Sequence, residues 1–172
     1  MKSLISGFAV LFLSAAVLPA QTAATVAKAE LVDSQGKKAG TAELTQAPDG
    51  VKIALTVSGL APGQHAFHIH NVGKCEGPDF KSAGPHFNPS KKKHGLKNPE
   101  GPHAGDMENI EIGPDGTGKA EIVNKQVTLV DGSNSLFHEG GTAIVIHASP
   151  DDNMTDPAGN AGARIACGMI TK

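Results

Sequence analysis

The chain has 172 residues, enough for one domain with a buried core. Its formal net charge is −2; 15 basic residues less Lys2 of a removable leader, against 17 acidic ones, leave −3. So mild a charge argues against a nucleic-acid or membrane partner, and the Lys91–Lys93 run reads as a solvated loop tip.

In chain order, Lys2 precedes an apolar run from Leu4 to Leu18, and Pro19-Ala20 follows. That is the pattern of a secretory signal peptide over residues 1–20, with cleavage after Ala20, Ala23 or Ala24. The reading predicts an exported protein, periplasmic or extracellular, with residues 25–172 as its one mature domain. ATVAKAELVD alternates apolar and polar residues until Ser34-Gln35-Gly36 breaks it, KKAGTAELTQ follows, and Pro48-Asp49-Gly50 turns the chain. VKIALTVSGL then puts Val51, Ile53, Leu55 and Val57 on one face. AFHIHNV is the next strand, and a long loop runs from about Gly73 to Asp106. MENIEIGPDGTGKAEIVN reads as a hairpin around Gly113–Gly116. TLVDGSNSLFHEGG is a longer connection, GTAIVIHAS a strand buried on both faces, and a second loop spans Ser149 to about Gly162. ARIACGMI is the last strand. The sum is an all-β domain of about eight antiparallel strands at sandwich or barrel spacing, with two long loops.

The histidines carry the chemistry. There are 8 of them in a chain without Trp or Tyr. His68 and His70 stand at i and i+2 of a strand, so both imidazoles project from one face. His147 ends the AIVIH strand. Taken singly, each also fits a buried structural histidine. The loop GPHFNPSKKKHGLKNPEGPHAGD (Gly84–Asp106) is too polar to fold by burial, since only Phe87, Leu96 and Ala104 offer appreciable apolar surface. It holds His86, His94, His103 and Asp106 at the spacing H-x7-H-x8-H-x2-D. Three nitrogens and a carboxylate make a sound tetrahedral zinc set, and a metal would supply the cross-link this composition lacks. Cys75 and Cys167 are the only cysteines. In an exported chain an isolated pair usually forms a disulfide; two buried thiols are the alternative.

GQHAFHIHNVGKC, SAGPHFNP, KKKH, GPHAGD, VIHASPDD and GNAGARIACGMI, in that order and with their gaps, resemble the copper–zinc superoxide dismutase family over nearly the whole mature chain, and the export signal is similar to its secreted bacterial members. The resemblance implies a Greek-key β-sandwich or barrel. It implies an enzyme that dismutes superoxide to dioxygen and hydrogen peroxide with copper and zinc. By the same resemblance His68, His70, His86 and His147 bind copper, and His86, His94, His103 and Asp106 bind zinc, with His86 as the bridging imidazolate. Asp151 orients one ligand of each metal, expected to be His68 and His94. Arg164 attracts and orients the anion. The family pairs Cys75 with Cys167, which would hold the loop around Arg164. His65 and His138 fall outside the metal set and read as structural or surface residues.

Two departures from the animal cytosolic pattern stand out. Ser149–Gly162 is short and carries acids but no lysine, which puts positive steering from that loop in doubt. Thr142 stands where many members carry arginine, which should alter loop bonding and leave the metals alone. A non-catalytic copper-storage module on the same fold is the main alternative. An electron-transfer copper protein would want a thiolate ligand, and a copper-only dismutase would not need His94, His103 and Asp106. The oligomeric state is left open between a monomer and a homodimer.

Overall fold

The alternating runs become the wall of a barrel. The computed structural model describes residues 24–172, and the leader predicted for residues 1–20 lies outside the described residues. Its strands are β1 (Val26–Asp33), β2 (Lys38–Ala47), β3 (Gly50–Val57), β4 (Gly63–His65), β5 (Phe67–His70), β6 (Ile110–Ile112), β7 (Gly118–Asn124), β8 (Ala143–His147) and β9 (Arg164–Met169). Val51, Ile53, Leu55 and Val57 of β3 are each no more than 1% exposed, while Lys52 and Thr56 between them face solvent. Burying a side chain of this size contributes about 1.5–3 kcal/mol, which is what sets the register. The inward faces of β1 (Ala27, Ala29, Leu31) and β2 (Ala42, Leu44) complete that part of the core.

All ladders are antiparallel, in the order β4-β6-β7-β3-β2-β1-β9-β8-β5. The non-sequential neighbours β3–β7, β1–β9 and β5–β8 give the over-and-back connections of a Greek key. The two ends of that order, β4 and β5, are consecutive in the chain, so one bent segment supplies both edges and the barrel is nearly closed. Here the structure refines the strand count from eight to nine. The segment containing the HxH pair starts earlier than AFHIHNV suggests and breaks at Ala66, whose N–H donates to Ser149 O (2.9 Å) and whose carbonyl accepts from His147 N (2.9 Å).

The connection after β7 seals the barrel with Val127, Leu129 and Leu136, each at most 1% exposed. β8 is buried on both faces, as its unbroken apolar run predicts, because two different things cover it. Ile144 and Ile146 enter the barrel core; Ala143 and Val145 meet Phe80, Ala83 and Cys167 in a second, smaller cluster under the long loop. A disulfide between Cys75 and Cys167 ties that loop to β9 across a sequence separation of 92 residues.

Candidate metal centre

β5 delivers its residues to opposite sides. Phe67 and Ile69 lie in the barrel core. His68 and His70 therefore face outward, beneath the loop. The pairing His68↔Val145 and His70↔Ala143 puts His147 on the same outer face as both. The loop supplies His86, which bridges to His70 as an isolated antiparallel partner. Two backbone bonds clamp the loop onto β5, Phe87 N to Ile69 O (2.8 Å) and Ile69 N to Gly105 O (2.9 Å), and a third, Gly105 N to Phe87 O (2.9 Å), ties the two ends of the loop together. A β-carbon at Gly105 would lie 2.2 Å from Ile69 O, so only glycine permits this approach. Phe87 and Ala104 are buried in the main core, while Leu96 is only half-buried. Asn124 Nδ2 adds a bond to Ala104 O (2.8 Å).

Two clusters result, each with donor atoms within 4.8 Å of one another: His68, His70, His86 and His147; and His86, His94, His103 and Asp106. His86 belongs to both. In the first cluster every imidazole has one nitrogen engaged. His68 Nε2 meets Asp151 Oδ2 (2.7 Å), His70 Nδ1 meets Gly84 O (2.9 Å), His147 Nδ1 meets Gly162 O (3.3 Å) and His86 Nδ1 meets Asp106 Oδ1 (2.9 Å). For His68, His70 and His147 the oxygen partner favours the proton on the nitrogen it meets and leaves a lone pair on the other; His86 Nδ1 faces the second cluster, which leaves its Nε2 to the first. Those other nitrogens, His68 Nδ1, His70 Nε2, His86 Nε2 and His147 Nε2, are buried without a hydrogen-bond partner. An unpaired buried polar atom costs about 1–3 kcal/mol, so four in one cluster are better explained as the ligands of a cation than by packing. Four imidazole nitrogens fit Cu(II).

Electrostatics keep three of those lone pairs available. Burial, with the neighbouring His86 next in weight, holds His70 well below the usual histidine range. Burial lowers His86 to about 4, the Asp106 hydrogen bond opposing. Burial and the neighbouring His68 lower His147 to about 3.

The second cluster is organised around one carboxylate. Nδ1 of His86, His94 and His103 lies 2.9, 3.1 and 3.3 Å from Asp106 Oδ1. Asp106 Oδ2 accepts from Gly95 N (2.8 Å) and His103 N (2.9 Å). Burial disfavours its charge, but bonds from His103, His86 and His94 outweigh burial and hold the carboxyl far below its ordinary range. For His94 burial is likewise overcome by bonds to Asp106 and Asp151, which raise it to about 9. The donor set, three nitrogens and an oxygen, fits zinc.

Asp151 lies between the clusters, with Oδ2 at 2.7 Å from His68 Nε2 and Oδ1 at 3.0 Å from His94 Nε2. Burial works against its charge, yet bonds from His68 and His94 hold its carboxyl below the usual range. Asn109 fixes its backbone reciprocally: Asn109 Nδ2 donates to Asp151 O (2.9 Å) and Asp151 N donates to Asn109 Oδ1 (2.8 Å). Arg164 donates from Nη1 to Phe80 O (2.8 Å) and from Nη2 to Gly84 O (2.7 Å). With His70, His86, His147 and Ala158 it lines a pocket of about 290 Å³.

Several contributors escape sequence reasoning. Asp156 Oδ1 accepts from His94 N (2.7 Å). Gly159 (φ +62) leaves room that a β-carbon would take from Asp151 Oδ1 (1.7 Å) and His94 Nε2 (2.7 Å). Asn109 lies in a stretch expected to be strand, but β6 begins only at Ile110. No local pattern marks these positions, because their roles arise between loops. The acids of Ser149–Gly162 turn out to be loop fasteners: besides Asp151 and Asp156, Asp152 Oδ1 accepts from Met154 N (2.9 Å) and Thr155 N (2.8 Å). Thr142 is buried and donates to Leu136 O (2.8 Å). His65 is buried with its ring between His147 O (2.8 Å) and Ala61 O (3.0 Å), and His138 stacks on Phe87.

Comparison with known proteins adds the following. Residues 38–170 match the family model described as copper/zinc superoxide dismutase. The chain is 59% identical over 144 residues to superoxide dismutase (Cu-Zn) 1 of Aquifex aeolicus, covering 83% of this chain and 85% of that protein. It is 47% identical over 138 residues to superoxide dismutase (Cu-Zn) of Caulobacter vibrioides, covering 78% and 79%. The crystal structure of a double mutant of a SOD-like protein from Bacillus subtilis superposes with a TM-score of 0.80 at 43% identity, covering 83% of this chain and 95% of that one.

Proposed function

The chain belongs to the copper/zinc superoxide dismutase family, and on that premise we propose how its residues share the reaction. The protein is an enzyme that converts superoxide to dioxygen and hydrogen peroxide with copper and zinc as cofactors. His68, His70, His86 and His147 hold copper; His86, His94, His103 and Asp106 hold zinc. The observation that carries this division is the set of four unpartnered buried nitrogens, one on each residue of the copper set.

When bound, copper supplies reversible one-electron chemistry toward successive superoxide ions, and zinc supplies a fixed positive charge beyond the shared imidazole. The side chains supply the rest. His86 is held at Nδ1 by the Asp106 side of the centre, so its Nε2 is the atom able to take up a proton and pass it to the reduced substrate. Arg164 stays cationic and lines the same pocket, so it draws the anion in and orients it. Asp151 keeps the His68 and His94 rings aligned.

Residues 25–172 are the mature enzyme, and the protein is exported to the periplasm or beyond the cell. Supporting this are the charged-then-apolar pattern of residues 1–20 and the Cys75–Cys167 disulfide, a bond that persists in oxidising compartments. Metal analysis and a superoxide-disappearance assay on one mature sample test the reading. Copper and zinc together with activity are expected; both metals without activity would favour the storage module.

A further inference from the structure

Phe80 has φ 52, in the left-handed region that a bulky side chain rarely adopts. It precedes the 3-10 turn Lys81–Ala83, and its side chain makes no capping hydrogen bond there. Its residue is only 1% exposed and packs with Ala83, Ala143, Val145 and Cys167. Its carbonyl accepts twice, from Ala83 N (3.1 Å) and from Arg164 Nη1 (2.8 Å). The second holder of the guanidinium, Gly84 O, also accepts from His70 Nδ1 (2.9 Å). The two protein oxygens that bond Arg164 are thus those of Phe80 and Gly84. The disulfide ties the loop to β9.

We propose that Phe80 is a positioning residue for Arg164: its buried ring holds the left-handed turn that aims the Phe80 carbonyl at Nη1. The physical reasoning is short. A residue with a β-carbon relaxes out of the left-handed region unless packing over-determines it. The packing here comes from the ring in the small cluster beside Cys167. Without the ring the carbonyl turns away, and Arg164 keeps only the Gly84 anchor. The guanidinium then swings over a wider arc at the mouth of the pocket. The proposal rests on the reading of Arg164 as the anion-guiding residue.

The test uses the full mature chain loaded with both metals and azide as a small anionic probe, titrated by the visible absorption of copper. Phe80→Ala should weaken azide binding by roughly 3- to 10-fold, the scale of one ordinary hydrogen bond lost, with copper and zinc content unchanged. Phe80→Leu, which keeps an apolar group in the cluster, should stay near the parent. In an Arg164→Ala background Phe80→Ala should weaken binding no further. If Phe80→Ala does not fold, Phe80→Val carries the test, because a β-branched residue is poorer still at positive φ; it should bind azide more weakly than Phe80→Leu, and equal affinities would overturn the proposal. Unchanged affinity in Phe80→Ala, or the same loss with and without Arg164, would also overturn it. Unchanged affinity in Arg164→Ala alone would remove the guiding role of Arg164, and the Phe80 proposal with it.

Discussion

Three of the four histidines proposed for copper come from strands, whereas all four residues proposed for zinc come from one loop. The strand histidines inherit their positions from the barrel: Phe67 and Ile69 bury inward, so His68 and His70 must face out. Their donor nitrogens have no protein partner, so that half has its positions fixed by the barrel. The loop half is held differently. Asp106 gathers three Nδ1 atoms to one oxygen, and its other oxygen collects two backbone N–H groups. A polar loop acquires order from a single buried anion and what that anion attracts. The contrast shows two ways of placing ligands, one by hydrophobic register and the other by a charge network, which meet at His86.

The largest effect expected follows from that meeting point. His86→Ala should lower dismutase activity by more than about 100-fold, since it removes a ligand from both sites and the proton-carrying nitrogen. Elemental analysis should show both metals reduced; full copper and zinc content would sink the shared-ligand assignment. Reducing Cys75–Cys167 should cost on the order of 2–5 kcal/mol, read as a lower melting temperature. Hydrogen exchange should rise in residues 73–106 well before it rises in β3; an even rise would erase the distinction between barrel and loop. Asp151→Ala should weaken metal retention by about 10- to 100-fold, the usual cost of losing a group that orients ligands. Because Asp151 meets His68 and His94, competition with a chelator should show loss on both sides; loss of zinc alone would mean it serves only the loop half. Arg164→Ala, confined to the copper side, should lower the rate by about tenfold with both metals retained. Unaltered activity at low and high salt would remove its role in guiding the anion.

The barrel was legible because alternation is a direct imprint of one buried face: Val51, Ile53, Leu55 and Val57 read inward from the sequence and lie inward. His68 and His70 were legible for the same reason. The division into copper and zinc sets came from resemblance, since spacing alone suggested only the loop set. The ninth strand was not legible, because the break at Ala66 depends on partners far along the chain, Ser149 and His147. Asn109, Asp156 and Gly159 were hidden because each acts on a residue of another segment. The acids of the second loop were legible as charges but not as hydrogen-bond acceptors, a role set by backbone turns that composition does not encode. Of the three loop residues with appreciable apolar surface, Leu96 is only half-buried; Phe87 and Ala104 are buried, and Gly105 makes that possible by having no side chain.

That one bent segment supplies both edges of the sheet has a consequence for the order of assembly. β5 completes the wall only by pairing with β8, far along the chain, and such non-local pairings form late because loop-closure entropy must be overcome first. The same pairing brings His147 beside His68 and His70. The four unpartnered nitrogens therefore come together as a set only once the barrel is nearly finished, so under the proposed assignment copper would load after the wall has formed.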